Sequence, residues 1–187
     1  LLYESQTDFE TAAKYFEKMA SFPDVPQMAD ALYNAGSIRA ALEQFDQAIQ
    51  IFETYAKKFP ENETTPDLVL EIGRIQVKQK QWSAATKTYN RYLKTFGKKK
   101  PEMVPGVFLK KALIIQQDGG KRTRQRASAE LKKAEKAYGK LDDKGKENGE
   151  VRQAMAKIMF LQAEYKYDDF EAIQLSFPEN KLKKGLV

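Results

Sequence analysis

The chain has 187 residues, 42% of them hydrophobic, which is enough for a sizeable buried core and excludes a disordered chain. It holds neither cysteine nor histidine, so disulfides, zinc sites of the Cys/His kind and nucleophile–base pairs built on either residue are excluded. The formal net charge is +6 and uneven: residues 1–97 carry 11 Lys and Arg against 13 Asp and Glu, residues 98–187 carry 21 against 13. The basic half suits an acidic protein, an anionic lipid surface or nucleic acid; the plainer reading is a solvated, Lys-rich helical face. No apolar run reaches the roughly 20 residues needed to span a bilayer. The chain opens on Leu1-Leu2-Tyr3 rather than Met, and is read as an internal piece of a longer protein.

A helical pattern recurs along the chain. Residues 1–25 read as a partial repeat whose first helix is mostly missing. Phe9, Ala12 and Phe16 precede Phe45, Ala48 and Phe52 by 36, and Ala13, Phe16, Met19 and Ala20 have the spacing of one helical face. Phe22-Pro23 closes that helix, because proline lacks the backbone donor and clashes with the preceding turn. Residues 26–60 form a complete unit: a helix from Pro26 to about Glu43 with Leu32, Ala35, Gly36 and Arg39 on one side, then a helix over 45–59. Residues 61–97 repeat it, with Thr65 as expected N-cap, Pro66 in the first turn and a second helix from Trp82 to Phe96. Gly36 to Gly73, Phe45 to Trp82, Ala48 to Ala85, Phe52 to Tyr89 and Phe59 to Phe96 are all 37 apart. Such a fixed period marks a stacked helical array. A glycine inside a helix costs about 0.5–1 kcal/mol relative to alanine, so Gly36 and Gly73 imply a backbone that must come close.

Residues 98–141 read as a degenerate unit. Its first helix is expected over 107–117 with Phe108, Ala112 and Ile115 inward, its second over 124–138 with Ala127, Leu131, Ala134 and Tyr138 inward. Residues 141–149 are expected as a loop. The segment 142–187 then holds one long helix, from Glu150 to about Leu175, with Met155 and Met159 on its core side. Phe177-Pro178 interrupts it, and Leu182, Leu186 and Val187 suggest the start of a further helix.

Leu32, Ala35, Gly36, Phe45, Ala48, Phe52 and Pro60, followed by Val69, Ile72, Gly73, Trp82, Ala85 and Tyr89, resemble the tetratricopeptide repeat. The sequence departs from that pattern at Arg39 and Gln76, where an aromatic is usual, at Tyr55 and Tyr92, where a small residue is usual, and in its 37-residue period. The resemblance implies an all-α solenoid of antiparallel helix pairs in a right-handed superhelix, the whole of 1–187 being one array. It also implies a non-enzymatic scaffold that binds a protein or peptide on the concave face lined by the first helix of each pair. By register that face holds Tyr33, Asn34 and Ser37, then Leu70, Arg74 and Lys78, then Leu109 and Lys110. The FP-terminated helices and long loops look like those of bacterial cell-envelope proteins, so a periplasmic or envelope location is expected over a cytoplasmic one.

The alternative surface is the basic stretch from Lys121 to Lys140, with Arg122, Arg124, Arg126, Lys132, Lys133 and Lys136. It would dock on an acidic protein, on lipid or, less readily, on nucleic acid, because its aromatic, Tyr138, is expected to be buried rather than available to stack on bases. No catalytic or metal site and no cofactor is expected. Asp142-Asp143 and Asp168-Asp169 are adjacent pairs whose members point to different helix faces, and Gly119-Gly120-Lys121 lacks phosphate-loop spacing. Terminal helix faces left uncovered are further expected to allow self-association.

Overall fold

The computed structural model describes residues 8–22, 25–120 and 122–173. Nine α-helices and a short 3₁₀ turn, with no strand, make up the described residues. They are α1 (Phe9–Ser21), α2 (Met28–Ala41), α3 (Phe45–Lys58), α4 (Thr65–Lys78), α5 (Trp82–Thr95), α6 (Val104–Asp118), α7 (Thr123–Tyr138), α8 (Asp143–Glu147) and α9 (Gly149–Glu171). The fold is all-α and solenoid-like, with neighbouring helices packed on one another within each of two units. The chain divides into two compact units between Phe96 and Gly97.

In the first unit α1 packs on α2, α2 on α3, α3 on α4 and α4 on α5. Leu32, Phe52, Tyr55, Leu68, Ile72 and Ile75 form its apolar core around Ala48, and each large side chain removed from water stabilises by about 1.5–3 kcal/mol. The expected face of α2 is the buried one: Leu32, Ala35, Gly36 and Arg39 are all covered. On α1 the fully buried residue is Ala13, whereas Ala12 is only half-buried and Phe9 is exposed.

The two helical glycines admit a close approach, but of a ring rather than a backbone. A Cβ on Gly36 would lie 2.4 Å from Cε1 of Phe52, and one on Gly73 2.5 Å from Cε1 of Tyr89. The aromatic rings of Phe52 on α3 and Tyr89 on α5 thus lie directly against the glycines of α2 and α4.

The 37-residue period also governs the helix ends. Glu43 and Lys80 both have a φ of 59°, in the left-handed region. The amides of Gln44 and Gln81 donate to the carbonyls of Arg39 and Gln76 at 2.9 and 2.8 Å, and those of Glu43 and Lys80 donate to Ala40 and Val77. These are Schellman closures, a geometry that favours glycine at the left-handed position. At the start of α4 the cap position is Thr64 rather than Thr65. The Thr65 hydroxyl instead donates to the carbonyl of Phe59 at 2.5 Å, tying α4 to the end of α3.

The polar residues that replace the usual aromatics have partners. Arg39 is only 3% exposed. Its guanidinium donates to both carboxylate oxygens of Glu17, at 2.6 and 3.0 Å, to Glu10 at 2.8 Å and to Gln44 Oε1 at 2.5 Å. This network fastens α1 to α2. Bonds from Arg39, and then from Gln44, hold the Glu10 carboxyl at about 2, well below the usual carboxylate range. Gln76 accepts from the Thr88 hydroxyl at 2.8 Å, both side chains being buried.

In the second unit α6 and α7 pair, α9 packs against both, and α8 lies on α9. Leu109, Ala112, Ala127, Leu131, Ala134, Ile158 and Leu161 form the core. Beside it Lys111 pairs with Glu130 at 2.8 Å, and Lys133 bonds the same carboxylate at 2.7 Å. Several expectations are corrected in this unit. Helix α6 begins three residues earlier than expected, with Pro105 in its first turn, and buries Val107 and Ile114 while Phe108 and Ile115 are only partly covered. Tyr138 is half-buried. The expected loop over 141–149 contains α8, capped by Asp142, whose carboxylate accepts from the Gly145 amide at 2.8 Å. Met159 is 63% exposed, because α9 buries one stripe only, through Val151, Ile158 and Leu161. Phe177-Pro178 and the apolar residues after it lie outside the described residues.

Candidate functional site

With 3.6 residues per turn, the residues opposite a helix's buried stripe are fixed by its register. On α2 the buried side is Ala31, Leu32, Ala35, Gly36 and Arg39, so Tyr33, Asn34 and Ser37 point away from it. Tyr33 is 44% exposed; Asn34 and Ser37 are half-buried. On α4, Leu70 and Arg74 stand 37 residues after Tyr33 and Ser37. Leu70 is half-buried and Arg74 exposed. The same two positions of two consecutive first helices therefore carry an apolar or aromatic side chain followed, one turn on, by a polar one.

The cations of this face differ in their availability. Arg74 pairs with Glu71 of its own helix, and that bond raises its pKa. Lys78 reaches back across the repeat: its Nζ lies 2.6 Å from Oε1 of Glu43 and 4.7 Å from the centre of the Phe45 ring. Together with the paired bonds of Arg91 to Glu53, both 2.7 Å, it joins one helix pair to the next. Lys78 is thus placed as an inter-repeat clamp, a role visible only once Glu43 is seen in the closing turn of α2.

The two candidates from the second unit are placed differently. Lys110 is half-exposed, whereas Leu109 is buried in the core between α6, α7 and α9. The earlier start of α6 and its cover by two helices leave Leu109 no outward surface.

On the basic stretch, Arg126, Lys132, Lys133 and Lys136 are exposed, on the side of α7 away from Ala127, Leu131 and Ala134. Lys133 is bonded to Glu130. Arg122 precedes α7 in a left-handed conformation, φ 58°, and is exposed. Arg124 belongs to another side of the helix: it pairs with Asp169 of α9 at 2.9 Å and lies 5.0 Å from the Tyr165 ring centre. Lys121 lies outside the described residues. Arg124, Lys132, Glu135, Gln162, Lys166 and Asp169 line an open groove of about 800 Å³ between α7 and α9. Its α9 residues recur at helical spacing but share no common charge, so composition gave no cue to the groove.

Residues 30–62 match the tetratricopeptide repeat family. The matched segment is α2, α3 and the turn after them, the unit with Gly36 under Phe52 and Arg39 in place of an aromatic. No curated protein matches the chain. A tetratricopeptide-type repeat is generally a non-catalytic fold, and the described residues hold no group of three or more acidic side chains able to share a metal ion.

Proposed function

We propose that the first unit is a protein-interaction module that holds a protein or peptide partner against the outward faces of α2 and α4. The observation that carries this is the recurrence, at the 37-residue period, of Tyr33 and Ser37 as Leu70 and Arg74, on helices braced from behind by a shared core. A pre-formed surface loses little conformational freedom on association, and exposed tyrosine and arginine side chains are among those that anchor interfaces. The test is a pull-down from lysate of the source organism with the wild-type chain and with a Tyr33→Ala, Arg74→Ala double variant. A discrete protein retained at high salt by the wild type and lost by the variant, with unchanged circular dichroism, supports the reading. Equal retention by both removes it.

A second reading has its own observation. Arg126, Lys132 and Lys136 form no ion pair among the described residues and are exposed on α7, Lys132 at the groove beside α9. That face would dock on an anionic surface of protein or lipid, through contacts that weaken steeply with salt. Charge reversal at Arg126, Lys132 and Lys136 abolishes binding in this reading and leaves it intact in the first. A periplasmic or envelope location belongs to the same proposal and rests on the resemblance alone. No helix among the described residues is long and apolar enough to cross a membrane, and fractionation of the source cells tests the location.

A further inference from the structure

Helix α9 carries a second apolar stripe on the side away from its core contacts. Ala156, Phe160, Ala163, Tyr167 and Phe170 follow one another at intervals of four, three, four and three, the spacing of a coiled-coil seam. All five are exposed: Phe160 by 54%, Tyr167 by 60%, Phe170 by 70%, with both alanines open as well. The stripe alternates small and aromatic residues. Over Ala163, between Phe160 and Tyr167, it forms an open hollow of about 510 Å³.

We infer that this stripe pairs α9 with the α9 of a second copy of the chain, antiparallel, about a two-fold axis near Leu161 and Gln162. Size complementarity sets the register. With Phe160 opposite the second copy's Ala163, Tyr167 falls opposite Ala156 and Phe170 opposite Gln153. Every aromatic then enters a hollow over a small or flexible residue, and the Ala163 hollow receives a phenylalanine. A parallel pairing would stack Phe160 on Phe160 and Ala163 on Ala163, leaving alternate layers overfilled and empty.

Charge at the centre of the seam agrees with the antiparallel choice. The residues flanking the seam on one side are Lys157 and Glu164, and in this register each Lys157 meets the second copy's Glu164, twice by symmetry. The parallel arrangement would instead place Lys157 beside Arg152, and Lys166 beside Glu171 nearer the helix end. In the antiparallel register Glu150 and Glu171 also meet, likewise twice by symmetry, but at the helix ends, where solvent screens them. A two-fold interface needs a patch complementary to itself, and this stripe is one.

Sedimentation equilibrium of the whole chain over a concentration series tests the inference. The expected result is a concentration-dependent species of twice the 21.4 kDa monomer. Phe160→Glu removes it with helicity unchanged, since the side chain is solvent-exposed in the single chain. Glu164→Lys weakens it by roughly tenfold, because two attractive pairs become two repulsive ones, and adding Lys157→Glu restores it. A monomer at every concentration overturns the inference and leaves the stripe to a different protein or to another part of the same chain. A dimer indifferent to Phe160→Glu, or a loss in Glu164→Lys that the swap does not restore, overturns it as well.

Discussion

Replacing Gly73 with alanine tests the packing that gives each repeat its shape. An added Cβ would lie 2.5 Å from Cε1, 2.7 Å from Cζ and 3.1 Å from Cδ1 of Tyr89. Ordinary carbon–carbon contact begins near 3.5 Å, so the ring has to retreat by about 1 Å. It has nowhere to go, being 1% exposed within the core. Overpacking of this kind costs about 1–3 kcal/mol, against a gain of up to about 1 kcal/mol from the better helix former. Taking the middle of that range, the expected net loss is about 1 kcal/mol. Urea unfolding followed by Trp82 fluorescence reads it cleanly, because the chain has a single tryptophan and it lies in the first unit. Tyr89→Leu shortens the obstacle, so the double variant should lose less than the sum of the single ones. Gly106 supplies the control, since a Cβ there meets nothing within 4 Å and alanine should be tolerated. A Gly73→Ala chain as stable as the wild type would refute the close approach of ring and helix.

Lys80→Gly should stabilise the first unit by about 1 kcal/mol, by relieving a left-handed conformation at an exposed helix end; a lower urea midpoint would contradict this. Arg39→Met should release α1, since it removes the bonds to Glu10, Glu17 and Gln44; faster hydrogen exchange confined to residues 9–21 is the expected signature. Acid should loosen the same contact. The Glu10 carboxyl is depressed from 4.5 to about 2 in the folded chain, so its contribution is complete above pH 4.5 and is lost as pH falls through about 2. In Glu10→Gln that acid-dependent loosening of α1 should be absent, as measured by exchange at matched pH.

The first unit was legible because its period is written into large and small residues alike. Gly36, Ala48 and Phe52 recur as Gly73, Ala85 and Tyr89, and packing demands each type at its place. The same period held a second layer that composition does not reveal. Glu43 and Lys80 share a left-handed turn although neither is glycine, because the turn is imposed by the packing on either side. Arg39 and Gln76 are buried where an aromatic was expected, because each found polar partners from other helices. The second unit was harder to read. Helix α9 has apolar residues on two sides, and sequence spacing cannot rank which stripe the neighbours cover; Met159 was assigned to the wrong one. In α6 the apolar residues nearly encircle the helix, so Leu109 was placed on a surface when two neighbouring helices bury it. At the candidate site, Tyr33 and Arg74 are exposed and Ser37 and Leu70 half-buried, off the covered stripes of α2 and α4, but the engagement of Lys78 with Glu43 depends on a turn conformation that the residue types do not announce.

The most direct measurement is photo-crosslinking from defined positions. A benzoylphenylalanine placed at Tyr33 or Leu70, and separately at Lys132 or Lys136, is irradiated in lysate of the source organism and the adducts are resolved by mass. A discrete protein adduct from the α2 and α4 positions, absent from those on α7, is the expected result. Adducts from α7 alone would contradict the proposed interaction face and move the function to the basic surface.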